Sequence, residues 1–98
     1  MAKKIIWSPA AETDLISVIN YLNEKWSVLI AKQFINKMDS FVNLIAEEPK
    51  LFPLINKKFN VRKCVLTKQN TLYYRGNLES IDIIRLFDSR QDPKKLKY

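Results

Sequence analysis

The residues that could carry out chemistry in this chain are its lysines, arginines and tyrosines. The sequence has no histidine, one glycine and one cysteine. The lack of histidine excludes imidazole acid–base chemistry, Ser-His-Asp and Cys-His nucleophilic sites and most zinc sites. The single glycine excludes a phosphate-binding glycine loop and a dinucleotide fingerprint. Because the acidic residues show no paired spacing either, we expect neither a metal nor a cofactor.

Cationic and aromatic side chains occur together on neighbouring segments of the second half. The candidates are Lys57, Lys58, Arg62, Tyr73, Arg85 and Arg90. Cations on adjacent strands of a sheet can bind phosphate oxygens through forked or single-point donors. They can also stabilise the charge that develops in phosphoryl transfer, and an aromatic ring among them can stack on a base. The simpler interpretation is that cations such as Arg62 solvate the open face of a half-buried sheet.

Arg85 differs from the other candidates because it lies in an apolar row. In "SIDIIRLFDSRQDP" the alternation of a strand places Arg85 on one face with Ile81, Ile83 and Phe87. A cation there either belongs to a functional surface or forms a structural ion pair with a nearby Asp or Glu. The sequence leaves both interpretations open.

The net charge of +7 is distributed unevenly along the chain. Residues 1–49 contain five lysines and six acidic residues, whereas residues 50–98 contain twelve Lys or Arg and four acidic residues. A strongly basic half indicates an anionic partner, such as nucleic acid, the ribosome, an enzyme that acts on DNA or an acidic protein segment.

Length and composition predict one small domain over residues 1–98. Apolar residues make up 47% of the chain, which is enough for a core. A lone cysteine, Cys64, cannot form an intramolecular disulfide and fits a reducing compartment. The sequence contains neither a signal peptide nor an apolar run of the length of a membrane span. We therefore expect a cytoplasmic protein.

The first half predicts a strand followed by two helices. Residues 3–7 are strand-like, Ser8 is a good N-cap, and Pro9 suits the first helical position. A second helix is expected to start at Ser27 and to end before Pro49. The very short junction predicts an antiparallel hairpin. Two apolar stripes with helical spacing face the core, and the residues in them are Ala11, Leu15, Val18, Ile19, Leu22 and Trp26, then Ala31, Phe34, Ile35, Met38, Phe41, Val42 and Ile45.

The second half predicts a loop and three strands. "PKLFPLINKKF", residues 49–59, has two prolines and no helical period, so it is interpreted as a loop that packs Leu51, Phe52 and Leu54. Polar turns separate the strand-like runs that follow, which favours consecutive antiparallel hairpins. These runs are residues 61–67, 71–75 and 80–87. We expect Trp7, Trp26 and one of Tyr73 and Tyr74 to lie in the core.

Three segments resemble the RelE/ParE superfamily of toxins from type II toxin–antitoxin modules, and together they span nearly the whole chain. They are "WSPAAETDLISVINYL", "VRKCVLTKQNTLYYR" and "IDIIRLFDSRQDP". The resemblance implies an α+β fold with an N-terminal strand and an antiparallel helix hairpin packed on a mainly antiparallel four-stranded sheet. It also implies a toxin that is neutralised by a cognate antitoxin, whose C-terminal segment wraps around it.

The RelE-like members of the superfamily cleave mRNA in the ribosome. This chain resembles them at Lys57, Lys58, Arg62 and Arg90. In that interpretation Arg62 and Arg90 hold the phosphate, and Lys57 or Lys58 carries a proton. The RelE-like pattern has a histidine or lysine before the final arginine, whereas this chain has Ser89 there.

The ParE-like members poison DNA gyrase and are not known as nucleases. Their last strand shows a pattern that Arg85, Arg90 and Asp92 match, with Asp88 in place of a histidine. The long helix hairpin also resembles this branch. We therefore interpret the chain as a ParE-like gyrase inhibitor, and the alternatives are a ribosome-dependent mRNA endoribonuclease and a non-toxic protein that only binds its antitoxin. The target-binding residues would be Arg62, Tyr73, Arg85 and Arg90.

Overall fold

The helices and strands follow one another in an order close to the predicted one. A computed structural model describes residues 3–90. The elements are β1 (Lys4–Trp7), α1 (Pro9–Lys25), α2 (Val28–Glu47), β2 (Leu54–Asn56), β3 (Val61–Val65), β4 (Asn70–Gly76) and β5 (Ser80–Asp88). The predicted first strand, both helices and the three later strands are present, and the strand ends differ from the prediction by one or two residues.

The strands form one sheet in the order β1-β5-β4-β3-β2. β1 runs parallel to β5, and the other neighbouring pairs are antiparallel. The hairpin of α1 and α2 covers one face of this sheet, so the predicted α+β fold is confirmed. The sheet has five strands rather than four, because β2 adds a short edge strand.

β2 lies inside the segment that the sequence predicted to be a loop. It has only three residues, and the proline directly before it conceals the strand pattern. Proline is tolerated next to an edge strand because the outer side of that strand needs no ladder hydrogen bonds. The expected packing of this segment is partly wrong, since Leu51 and Leu54 are exposed. Phe52 does pack inward, and its ring makes edge contacts with Phe41 and Tyr74.

Two serines begin the two helices, as predicted. The Ser8 Oγ accepts a hydrogen bond from the Ala11 N–H at 3.0 Å, and the Ser27 Oγ accepts one from the Ile30 N–H at 3.1 Å. The Ser8 hydroxyl also donates to the Ile84 carbonyl at 2.7 Å, which fixes the start of α1 against β5. Each cap satisfies a backbone donor that the first helical turn leaves unpaired.

The core lies between the helix hairpin and the sheet. Its buried members are Ala11, Val18, Phe34, Met38, Val42, Ile45, Cys64, Leu66, Leu72, Tyr74, Ile81, Ile83 and Leu86. Trp7 is half-buried against this cluster, whereas the prediction for Trp26 is wrong, because its side chain is 68% exposed. Trp26 is the C-cap of α1, and its non-helical backbone takes it out of the stripe. Between residues 3 and 90, neither helix is long and apolar enough to cross a membrane.

Candidate functional site

β5 carries an irregularity that changes which side chains face the core. Tyr73 of β4 pairs with Arg85, but Tyr74 pairs with Ile83, so Ile84 is an extra residue in β5. The buried positions accordingly change from Ile81 and Ile83 to Leu86 and Asp88. A β-bulge of this kind shifts the alternation of a strand by one residue. The prediction that Arg85 shares a face with Ile81 and Ile83 is therefore wrong.

Arg85 forms an ion pair with Asp14 of α1. The Arg85 Nε lies 2.7 Å from Asp14 Oδ2, and its Nη2 lies 3.0 Å from Oδ1. The two side chains are 17% and 10% exposed. The hydrogen bond to Asp14 raises the pKa of the Arg85 guanidinium. Of the two interpretations that the sequence left open, the ion pair is present, and a role for Arg85 in target binding stays a prediction.

Asp14 also completes the backbone hydrogen bonding of β5. The register of β1 ends where Trp7 pairs with Ile83, so the next part of β5 has no neighbouring strand on that side. The Leu86 N–H donates to Asp14 Oδ2 at 3.1 Å. One buried carboxylate thus binds both the Arg85 guanidinium and a backbone donor that β1 does not reach.

Arg90 is held at the end of β5 by Asp88 and Tyr21. The Arg90 Nε donates to Asp88 Oδ1 at 2.8 Å, and the guanidinium carbon lies 4.0 Å from the centre of the Tyr21 ring. Burial raises the pKa of Asp88, but the hydrogen bonds and charge of Arg90 outweigh that effect, so the pKa is lowered overall. The Arg90 side chain remains 38% exposed. Asp88 therefore orients Arg90, the last arginine of the chain.

An open groove of about 360 Å³ lies between the helix hairpin and the β3–β4 turn. Its walls are mainly apolar and come from Leu22, Trp26, Ile30, Gln33, Phe34, Lys37, Thr67, Gln69, Asn70 and Arg90. Asn70 is buried, and its Oδ1 has no hydrogen-bond partner among the described residues. Buried polar atoms are normally paired, so this oxygen is an exception in the described part of the chain.

A second group of cations lies at the other end of the sheet. We call Lys57, Lys58, Arg62, Lys63 and Arg75 the basic edge. The Asn56 side-chain oxygen accepts a hydrogen bond from the Phe59 N–H at 2.9 Å, and the Arg75 Nε donates to the Phe59 carbonyl at 2.6 Å. Asn60 follows with a φ of 56°, a left-handed conformation that asparagine tolerates better than most residues. These bonds hold the β2–β3 turn and the lysines that precede Phe59.

Arg62 does not lie on the open face of the sheet. It pairs with the buried Tyr74, and directly paired residues of an antiparallel sheet share a face. Its guanidinium is half-buried and donates to the Phe52 carbonyl at 2.9 Å. Burial raises the pKa of Tyr74 to about 12, although the positive charge of Arg62 opposes this shift. Burial likewise raises the pKa of the Cys64 thiol to about 11, so Cys64 is an inert core residue.

The predicted site residues thus fall into two groups instead of one. Arg62 lies level with Tyr74, whereas Arg90 lies beyond Asp88, which pairs with Asn70. Tyr74 and Asn70 are four residues apart on β4, which corresponds to about 13 Å along the strand. Lys57 and Lys58 belong to the Arg62 end. Tyr73 is half-buried between the groups, where it pairs with both Lys63 and Arg85.

Asp14 is the residue that the sequence interpretation missed. Acidic residues are common near a helix N-terminus, because they interact favourably with the helix dipole. The spacing held a stronger signal, because Asp14 lies in line with Ala11 and Val18, both of which are buried. A carboxylate at such a core position requires a cationic partner. Within residues 3–90, no group of Cys, Asp and Glu side chains could hold a metal ion.

Several known proteins resemble this chain. The family model described as "ParE toxin of type II toxin-antitoxin system, parDE" matches residues 5–93. A chain from the chromosomal ParDE system of P. aeruginosa superposes with a TM-score of 0.74 at 15% identity, over 89% of this chain and 96% of that one. The YoeB/ParE toxin from Agrobacterium tumefaciens gives a TM-score of 0.62 at 13% identity, over 87% of this chain and 96% of that one.

A third matching structure is similar to this chain to about the same degree as the second. A chain from the E. coli DinJ-YafQ toxin–antitoxin complex gives a TM-score of 0.61 at 12% identity, over 92% of this chain and 96% of that one. No curated protein sequence matches the chain. At such low identities the structural matches establish the shared fold, whereas the family model covers most of the sequence. The chain belongs to the family of ParE toxins of type II toxin–antitoxin systems.

Proposed function

We propose that this toxin inhibits growth by a ParE-like block of DNA gyrase and that a cognate antitoxin neutralises it. The separation of Arg62 from Arg90 carries the proposal. A RelE-like nuclease would need both arginines on one phosphate, but they lie on levels of the sheet about 13 Å apart. The guanidinium of Arg90 also forms an ion pair with Asp88. Two separate groups of cationic residues, one at Arg62 and one at Arg90, suit a protein that binds a large target and does not cleave RNA.

In this proposal the cations have different tasks. Arg62 and the half-buried Tyr73 contact the target, together with the part of Arg90 that remains exposed. Arg85 acts indirectly, because its ion pair with Asp14 fixes β5 and thereby the position of Arg90. No step of the block requires a metal, a cofactor or a catalytic base. The target implies a cytoplasmic location.

We propose the groove beside Arg90 as the antitoxin site. Its apolar wall includes the exposed Trp26, and its rim carries Lys37 and Arg90. Such a surface fits an amphipathic segment that has an apolar face and acidic flanks. The matching structures from P. aeruginosa and E. coli are named as toxin–antitoxin assemblies, which supports a partner of this kind.

A gyrase cleavage assay tests the proposal. Purified toxin, gyrase, ATP and supercoiled plasmid are combined, and trapped linear DNA is measured. We expect linear DNA only when toxin and gyrase are both present, and less of it when Arg62 is replaced by Ala. Absence of linear DNA from a preparation that still arrests growth on expression would contradict the gyrase target.

A RelE-like endoribonuclease is the second candidate, and one observation favours it. Lys57 and Lys58 lie at the same end of the sheet as Arg62, as a proton carrier next to a phosphate-binding residue would. The test is cleavage of mRNA by programmed ribosomes in the presence of the toxin. If Arg62→Ala and Arg90→Ala leave growth arrest intact, this candidate fails. If expression arrests no growth while the antitoxin still binds, the chain is a non-toxic antitoxin-binding protein.

A further inference from the structure

One stretch of the fold carries positive charge that no acidic residue within it offsets. Residues 49–78 contain seven Lys or Arg and no Asp or Glu. The charge of this stretch, +7, equals the net charge of the whole chain. The stretch forms β2, β3, β4 and their connections. The helices and β5 together carry four Lys or Arg and seven Asp or Glu. A one-signed surface of this kind attracts a polyanion, whereas solubility alone would be served by mixed charges.

The arginines of the basic edge are oriented without being neutralised. Arg62 and Arg75 donate to backbone carbonyls, those of Phe52 and Phe59. Among residues 3–90, neither forms a salt bridge with a carboxylate. Asp82 pairs with Arg75 across the strands, but its carboxylate accepts hydrogen bonds from Asn77 and Ser80. Both guanidinium groups are therefore fixed in position while keeping their full charge.

The three lysines of the basic edge are exposed. Lys57 and Lys58 are exposed on the β2–β3 turn, and Lys63 is exposed on β3. The Lys58 Nζ lies 5.4 Å from the centre of the Phe59 ring, which is 46% exposed. The edge carries five cations beside this one ring, so donors for phosphate oxygens outnumber the stacking surface that Phe59 offers. The chemistry of this edge consequently favours contacts to phosphates over contacts to unpaired bases.

We propose that the basic edge is a sequence-independent contact for the phosphate backbone of duplex DNA. It deepens the gyrase proposal, since a toxin bound to gyrase lies beside the duplex which that enzyme handles, but its test does not require gyrase. With three exposed lysines and two half-buried arginines, the edge would neutralise about three to five phosphates. The logarithm of the affinity should then fall with the logarithm of salt with a slope of about −3 to −4.5.

The test is fluorescence anisotropy of the full chain with a labelled 20-base-pair duplex at several salt concentrations. Lys57→Gln/Lys58→Gln should weaken binding roughly tenfold near 0.1 M salt and reduce the slope by about two. The matched control is Lys4→Gln/Lys32→Gln, which removes the same charge from exposed positions on β1 and α2. We expect the control to change the affinity less than about twofold.

Three results would overturn the proposal. The first is duplex binding whose affinity does not fall with salt as expected. The second is an equal loss of affinity in both double variants, because the net charge of the protein would then explain the binding without a specific site. The third is at least tenfold tighter binding of single-stranded RNA or of an acidic peptide to the same edge. If duplex binding is found but gyrase is not blocked, this inference stands and the gyrase target fails. If gyrase is blocked by a toxin that binds no DNA, the gyrase target stands and this inference fails.

Discussion

Two regions of the molecule hold arginines in different ways. On β5 and just after it, Arg85 and Arg90 bind the carboxylates of Asp14 and Asp88. At the basic edge, Arg62 and Arg75 bind backbone carbonyls only, as far as residues 3–90 are concerned. A carboxylate cancels the charge of a guanidinium, whereas a carbonyl orients it and leaves the charge in place.

This difference predicts that the two groups of arginines contribute to different properties, one to the stability of the fold and the other to target binding. A buried ion pair is expensive to break, because removing one partner leaves the other charged and without compensation. A guanidinium bound to a carbonyl can be removed at the cost of about one hydrogen bond. We therefore expect substitutions on β5 to act mainly on folding, and substitutions on the basic edge to act mainly on target binding.

The largest effect is expected for Arg85→Ala. It would leave the buried Asp14 carboxylate without its cation and should reduce the free energy of unfolding by about 3 kcal/mol. Urea unfolding followed by circular dichroism measures this loss. The double variant Asp14→Ala/Arg85→Ala should cost less than the sum of the single variants, because the charges disappear together. A loss below about 1 kcal/mol for Arg85→Ala would remove the structural role assigned to this pair.

The order of elements could be predicted from the sequence because each one has a local cause. Ser8 and Ser27 cap helices, and Pro49 follows the end of α2. Apolar spacing of three and four residues identified the buried face of α2, where most of the predicted residues are buried. Such signals need no knowledge of distant parts of the chain.

The surroundings of Arg85 could not be predicted, because they depend on contacts between distant residues. The bulge at Ile84 follows from the pairing of β5 with β4, and local alternation contains no sign of it. The partner Asp14 is 71 residues away along the chain. Trp26 was misplaced for a related reason, since its helical spacing continues one residue past the end of α1.

Arg62→Ala should have a smaller effect on stability. The side chain makes a hydrogen bond to the Phe52 carbonyl, so we expect a loss of about 1 kcal/mol in the free energy of unfolding. If Arg62 contacts gyrase as proposed, the same variant should lose most of its gyrase block. Urea unfolding and the gyrase assay on one preparation separate the two quantities. A stability loss as large as that of Arg85→Ala would abolish the contrast between the regions.

The ion pair between Asp88 and Arg90 predicts that the free energy of unfolding decreases modestly at low pH. The pKa of Asp88 is lowered below its usual value of 3.8 in the folded protein. The pair therefore stabilises the fold at pH values above about 4, and this contribution is lost as the pH falls through the folded pKa. Since Arg90 is partly exposed, we expect less than about 1 kcal/mol. Between pH 6 and pH 3, wild type should lose more stability in urea unfolding than Asp88→Asn, and parallel curves would contradict the assignment.

The smallest effect on stability is expected at Lys58. Its contacts are exposed, with the ammonium over the Phe59 ring, and exposed substitutions usually stay within about 0.5 kcal/mol. Lys58→Gln should therefore leave the urea midpoint unchanged while reducing the salt dependence of duplex binding by about one unit. Lys32→Gln is the single-site control, since Lys32 is also exposed, on α2. A Lys58→Gln protein that unfolds at a lower urea concentration than the control would mean that the basic edge stabilises the fold. The proposed contrast, in which β5 stabilises the fold and the basic edge binds the target, would then be wrong.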